Sequence, residues 1–144
     1  MENQNFGNHR QFVPLYHFVL TLMVLVALGG SLYLVYRSAI NQSDRIVSVL
    51  ILALVIMAFI EGFCLRIFAL KAQDRAIRAE ENLRHFAMTG SLLNPGLTIR
   101  QIIGLRFASD EEFVELAEKA AAEGLSENDI KKAVKTWRGD YYRV

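Results

Sequence analysis

Apolar positions fill two stretches of the chain almost without interruption, and beyond them apolar and charged positions alternate with a helical period. From Phe18 to Tyr36 the sequence reads FVLTLMVLVALGGSLYLVY, nineteen residues without a charge. As a helix at about 1.5 Å per residue this covers roughly 28 Å, which matches a bilayer core of about 30 Å. The second stretch, Ile46 to Leu65, reads IVSVLILALVIMAFIEGFCL and is apolar for fifteen residues before Glu61. Asn41, Gln42, Ser43 and Asp44 form a polar turn between the two, so the pattern predicts a transmembrane hairpin. A buried soluble hairpin would need covering. The roughly hundred residues that remain, many of them charged, are too few to surround two helices that are apolar all round. A cleaved leader is another source for the first stretch, but its length, the Arg37 directly behind it and the second run close by favour a span.

Past Glu61 the all-apolar pattern narrows to a stripe. Steps of four and three from Ile51 give Val55, Ala58, Gly62, Leu65, Ala69, Ala72, Ala76, Ala79, Leu83 and Phe86, each apolar or small, at the a/d spacing of a helix-packing seam. No proline or polar cluster interrupts Ile46 to Met88, so one long helix is predicted to leave the membrane and continue through residues 66–88. Lys71, Asp74, Arg75, Arg78 and Glu81 fall away from the seam and are expected to face solvent. Arg66, Lys71, Arg75 and Arg78 are the candidates to meet anionic lipid. Within the apolar part, Ala58-x-x-x-Gly62 and Ala27-x-x-x-Ser31 beside Gly29 and Gly30 are spacings that let helix backbones approach closely. The expected occupant of these surfaces is the hairpin itself, a second copy or another protein.

The segment TGSLLNPGL, Thr89 to Leu97, breaks the helix. Three short helices are predicted after it from their caps: Thr98 with Gln101, Ser109 with Glu112, and Ser126 with Asp129. Gly124 is placed to end the middle one in the left-handed conformation. Ile99, Ile102, Ile103 and Phe107, then Phe113, Leu116, Ala117 and Ala120, then Ile130, Val134 and Trp137 form one apolar face each. The fold class expected is therefore an all-α membrane protein. It has a polar N-terminal segment (1–17), a hairpin (18–65, spans about 18–36 and 46–65), a cytoplasmic helix continuing the second span (66–88) and a helical C-terminal unit (98–144).

Composition explains the mixture. The chain is 53% hydrophobic yet 22% charged, and its mean hydropathy of +0.24 averages a membrane part and a water-facing part. The turn side of the hairpin carries Arg37 and Arg45, while the side of the termini carries Arg10, Arg66, Lys71, Arg75 and Arg78. The positive-inside rule then places both termini in the cytoplasm. Glu61 is the one ionisable residue inside a span. Antiparallel helices would set it near the level of Thr21 and within about a turn of His17, a candidate intramembrane polar site. An oligomer could use Glu61 as an ion or proton pathway, the second functional reading.

Catalytic chemistry is not visible. His9, His17 and His85 are scattered and Cys64 is the only cysteine, so no ligand spacing for a metal is present and no cofactor or small-molecule substrate is expected. The helices joined at Gly124-Leu125-Ser126 have a tolerable helix-turn-helix spacing, with Lys131, Lys132, Lys135 and Arg138 along or beside the second. The segment from Thr98 onward is nevertheless slightly acidic, which argues against nucleic acid as a partner. An enzyme is not expected; an accessory or scaffold protein holding a protein partner or a second copy at the membrane is.

Several segments carry a resemblance: Gln4-Asn5-Phe6-x-Asn8-His9 leading to Pro14, His17 and Phe18; Leu105-Arg106-Phe107-Ala108-Ser109-Asp110-Glu111-Glu112; and Ile130-Lys131-Lys132-Ala133 with Trp137, Asp140 and Arg143-Val144. Together they resemble an uncharacterised family of small two-span inner-membrane proteins of Bacteroidetes-type bacteria. The resemblance implies a bacterial inner-membrane protein with a helical cytoplasmic tail, and it supplies no reaction and no functional residues. This chain has Phe12-Val13-Pro14 where such sequences tend to show tyrosines before the proline. The polar N-terminal stretch, including Gln4, Asn5, Asn8, His9, Arg10 and Gln11, either forms a solvated tail or folds back on the cytoplasmic helices, which would set Arg10 and His17 near Glu61 or the acidic start of the Glu111 helix.

Overall fold

A computed structural model describes residues 4–9 and 13–141. They fall into two compact units, one of residues 13–69 and one joining residues 4–9 to residues 70–141. Among the described residues the chain is all-helical, apart from an isolated antiparallel bridge between Ala108 and Trp137. Arg10, Gln11, Phe12, Arg143 and Val144, named in the sequence reading, lie outside the described residues.

In the first unit Pro14 precedes a π-helical turn, Leu15–Leu20, that runs into α1, Thr21–Asn41. Proline suits this position because its missing N–H has no helical partner there. The widened turn lets the Thr21 hydroxyl reach back to the Tyr16 carbonyl at 3.5 Å. Gln42 and Asp44 take positive φ angles of 54° and 53° at the polar turn. Arg45 then starts α2, Arg45–Thr89, and reaches back to the Ala39 carbonyl at 3.4 Å, covering one of the open carbonyls at the end of α1. Leu15–Asn41 and Arg45–Thr89 are both long and apolar enough to cross a membrane. Their least exposed positions are not the glycines: Ser31, Ser38 and Ser48 are buried, while a Cβ on Gly29, Gly30 or Gly62 would meet nothing within 4 Å. The buried serines return their hydroxyls to their own helix, Ser31 to Leu28 and Ser38 to Val35 at 2.9 Å each, and Ser48 to Asp44 at 3.0 Å.

The second unit begins on the last turns of α2, which Gly90 ends at φ 77° with its N–H on the Phe86 carbonyl at 2.8 Å, the left-handed stop that glycine permits. Three helices follow: α3, Ile99–Leu105, α4, Asp110–Glu123, and α5, Glu127–Ala133. Thr98 and Gln101 form a reciprocal capping box, and the Gln101 amide also donates to the Ala120 and Leu125 carbonyls at 3.2 and 3.0 Å, tying α3 to the end of α4. Ser126 caps α5 through the Asp129 N–H, and Gly124 closes α4 at φ 63°. The core is Leu105, Phe107, Ala108, Phe113, Ala120 and Ile130, each 0% exposed. Gly104 lets α3 lie against α5: a Cβ there would sit 3.1 Å from both the Glu127 carbonyl and Ile130 Cγ2. Gly104→Ala gains up to about 1 kcal/mol of helix propensity but overpacks this contact by about 1–3 kcal/mol. A net loss in thermal denaturation is expected.

Two expectations are corrected. Ser109 makes no side-chain cap bond at the start of α4. Its intended partner Glu112 instead accepts the Lys135 and Thr136 N–H groups at 3.0 and 2.9 Å, holding the returning chain beside the Ala108–Trp137 bridge. The second correction concerns Glu81 on α2. It was expected to face solvent with Lys71, Asp74, Arg75 and Arg78; Lys71, Arg75 and Arg78 are exposed, but Glu81 is 4% exposed. Its carboxylate is buried because Arg84 and Arg138 pair with it. The apolar stripe of this part of α2 is exposed, with Leu83 at 68% and Phe86 at 51%.

Candidate functional site

The residues expected to form an intramembrane site are not brought together. Glu61 is exposed. Thr21 bonds the Tyr16 carbonyl, and the His17 ring faces the Val13 N–H and carbonyl at 3.1 and 3.0 Å. At this level the link between the helices is Tyr16, whose hydroxyl donates to the Gly62 carbonyl at 3.1 Å while its ring lies 5.7 Å from the Arg66 guanidinium. Of the seam, Gly62 is half-buried and Ala58, Leu65, Ala69, Ala72, Ala76, Ala79, Leu83 and Phe86 are exposed. Lys71, Arg75 and Arg78 are exposed, and Arg66 is half-buried.

The polar groups that do converge lie in the unit of residues 4–9 and 70–141, and they come from the segments that carried the family resemblance. Arg106 leaves the end of α3 buried and pairs with Asp140 at 2.9 Å. The Asp140 backbone exchanges two hydrogen bonds with the Gln4 side chain, N–H to Oε1 at 2.8 Å and Nε2 to carbonyl at 3.0 Å. Gln4 thus mimics a strand partner and clasps the two ends of the chain. Five residues on, the His9 ring packs 5.7 Å from both Phe107 and Trp137, and those two rings are 4.9 Å apart. Nδ1 of His9 faces the Phe6 carbonyl at 2.8 Å, which assigns the proton to Nδ1 and leaves Nε2 to accept from Lys131 at 3.4 Å. Lys131 is buried and also binds Glu127 at 2.6 Å, so it is not presented along α5 as a phosphate contact. Arg138, another of the expected basic row, lies 3.5 Å from Glu81.

A second polar cluster joins α2 to this clasp. The Arg84 guanidinium stacks 4.1 Å over the Phe113 ring and donates to Glu81 at 3.0 Å, Asp110 at 2.8 Å and the Ala108 carbonyl at 2.8 Å. His85 holds the loop after α2 through the Ser91 carbonyl at 2.7 Å. Gln4 belongs to the N-terminal stretch expected to fold back on the helices, without a named partner; Arg84 and His85 had no assigned role, and their polarity within a helical pattern is explained equally well by solvent exposure. Arg10, expected near the start of α4, lies outside the described residues.

Chemically these clusters fasten segments together. Among the described residues no group of three His, Cys, Asp or Glu side chains is placed to hold a metal ion. Exposed Glu111 has a shifted acidity: the Ser109 hydroxyl, then its own N–H, hold the carboxyl below the usual range against smaller opposing effects of desolvation and of Asp110. A carboxyl lowered on folding adds stability above its unfolded pKa and loses it as pH falls through the folded one. Ser109→Ala should therefore raise the Glu111 titration seen by NMR, with an effect on stability near neutral pH that fades in acid. Gln4→Ala removes both clasp bonds; a loss of about 1–2 kcal/mol and a red shift of the emission of Trp137, the single tryptophan, are expected.

Comparison with curated proteins and with solved structures returns no match. The match that does exist is to a family model, and it extends over the clasped ends, both long helices and the three-helix core alike. The chain belongs to DUF6526, a family of unknown function, whose model covers residues 1–144.

Proposed function

We propose that this is a two-span integral protein of the bacterial inner membrane, with both termini in the cytoplasm, that acts as an accessory or scaffold through protein contacts rather than by catalysis. The observation that carries the reading is the outward aim of large apolar side chains along both long helices, such as Leu22 at 63%, Val26 at 67%, Leu54 at 62% and Phe63 at 62% exposed. Side chains of this kind in such number are stable only against lipid or protein. The helical unit of residues 4–9 and 70–141 supports the scaffold part. Its buried charged groups, Glu81, Arg106 and Lys131, are paired across or along its segments, and its exposed apolar stripe is available to another protein. The lipid bilayer is the first partner, and exposed Lys71 is the cation that this reading assigns to anionic headgroups. Nucleic acid, cofactor and small-molecule substrate have no part in this reading. The scaffold reading is preferred to the Glu61 pathway because Glu61 is exposed on α2 and the Thr21 hydroxyl is turned to the Tyr16 carbonyl.

Alkaline carbonate washing of native membranes, followed by crosslinking, pull-down and mass spectrometry, tests this. Retention in the pellet and capture of a protein partner or a second copy are expected. Release by the wash contradicts the membrane assignment, and a monomer without crosslinked companions contradicts the scaffold.

A further inference from the structure

We propose that the exposed apolar stripe of α2 is the contact surface of a parallel, in-register dimer of this chain. The proposal rests on the membrane reading above, because two copies inserted in the same orientation carry their α2 helices parallel. At about 100° per residue, the part of α2 after Ala69 has separate faces. One, with Ile77, Glu81 and Arg84, is covered by the chain's own core, and the stripe Ala72, Ala76, Ala79, Leu83 and Phe86 lies on the far side, every member exposed.

The charges beside the stripe identify the occupant. With Gly62, Ala69, Ala76 and Leu83 at position a of the heptad, Leu65, Ala72, Ala79 and Phe86 fall at d. The flanking g positions then hold Glu61 and Arg75, and the e positions hold Arg66 and Glu80. In a parallel pair each g residue meets the e residue five places further along the other helix. Glu61 therefore faces the partner's Arg66, and Arg75 faces the partner's Glu80. Both matches join opposite charges, and two-fold symmetry makes each twice. An antiparallel pair sets g against g and e against e and uses neither. Among the described residues Glu61, Arg75 and Glu80 form no ion pair within the chain, so all three are available. The arrangement also gives the carboxylate inside the second apolar run a partner, which such a group requires. Alanine at four of these eight a and d positions, with Gly62 at a fifth, brings the helices close, and Leu83 and Phe86 supply the larger buried area at the cytoplasmic end.

Single cysteines in a Cys64→Ser background, oxidised in native membranes, test the pairing. Ala72→Cys and Ala79→Cys should each form a disulfide-linked dimer at least about fivefold more than Lys71→Cys, which lies off the stripe. Adding Arg75→Glu to Ala79→Cys should lower the yield about fivefold, and Arg75→Glu with Glu80→Arg should restore it. Equal or absent crosslinking at all positions, or a swap that fails to restore it, overturns the proposal. A carbonate wash of the same membranes separates the two claims. Retention without position-specific crosslinks overturns the dimer alone, and release overturns the membrane reading and with it the reason for parallel pairing.

Discussion

Replacing Arg84 with alanine is expected to lower the stability of the unit of residues 4–9 and 70–141 by about 3 kcal/mol. The guanidinium is the common partner of the Glu81 carboxylate, the Asp110 carboxylate and the Ala108 carbonyl, and it lies flat on Phe113. Asp110 is exposed, so its share is small. Glu81 is different: at 4% exposure it would keep only Arg138 at 3.5 Å, and a buried carboxylate that loses its main partner is costly. Urea unfolding of the detergent-solubilised chain, followed by Trp137 emission, gives the number. Arg84→Lys should recover part of the loss, since one ammonium cannot reproduce the fork or the stacking. A double variant, Arg84→Met with Glu81→Gln, should be more stable than Arg84→Ala because no buried charge remains. A change below about 1 kcal/mol for Arg84→Ala would show that this cluster does not hold α2 to the core.

Phe107→Ala is expected to cost about 3–5 kcal/mol and to loosen the N-terminal segment as well. Phe107 is fully buried, and its ring is the common floor for Trp137, His9, the Arg106 guanidinium and the Lys131 ammonium, at 4.9, 5.7, 4.7 and 5.5 Å. Truncation opens a cavity beneath two cations and removes the surface on which His9 rests. Phe107→Leu, which keeps most of the volume, should cost under about 1.5 kcal/mol. Amide exchange over residues 5–9 should rise sharply in the alanine variant and little in the leucine one. Equal exchange in both would separate Phe107 from the clasp.

The long elements were legible because they rest on local signals. Two uninterrupted apolar runs, the absence of a breaker from Ile46 to Met88, and the caps at Thr98 and Ser126 each act within a few residues, and the structure returns α1, α2, α3 and α5 from them. The apolar faces that meet in the core, Ile102, Phe113, Ala117 and Ile130 among them, follow from the 3.6-residue period alone. What escaped was set by distant partners. Glu112 had the spacing of a cap but is taken by the amides of Lys135 and Thr136. Phe107 and Trp137 were read as helical positions, whereas Trp137 pairs with Ala108, the residue after Phe107, in a single antiparallel bridge, which is too short to leave a periodic trace. On α2 Glu81 was expected to face solvent but is buried beside Ile77 and His85. Arg84, which pairs with it, also reaches Asp110 and the Ala108 carbonyl, more than twenty positions away. The N-terminal stretch was read as able to fold back on the helices, but its partner was hidden: Gln4 and Asp140 are 136 positions apart, and no local rule links them.

In the function proposed for this chain, two helices carry it across a membrane and return it to the same side. Labelling of single cysteines by a membrane-impermeant maleimide in intact cells, in a Cys64→Ser background, tests this directly. Ser43→Cys in the turn between α1 and α2 should label from outside, while Lys119→Cys on α4 should label only after the membrane is permeabilised. Labelling of both from outside, or of neither, would contradict the two-span arrangement.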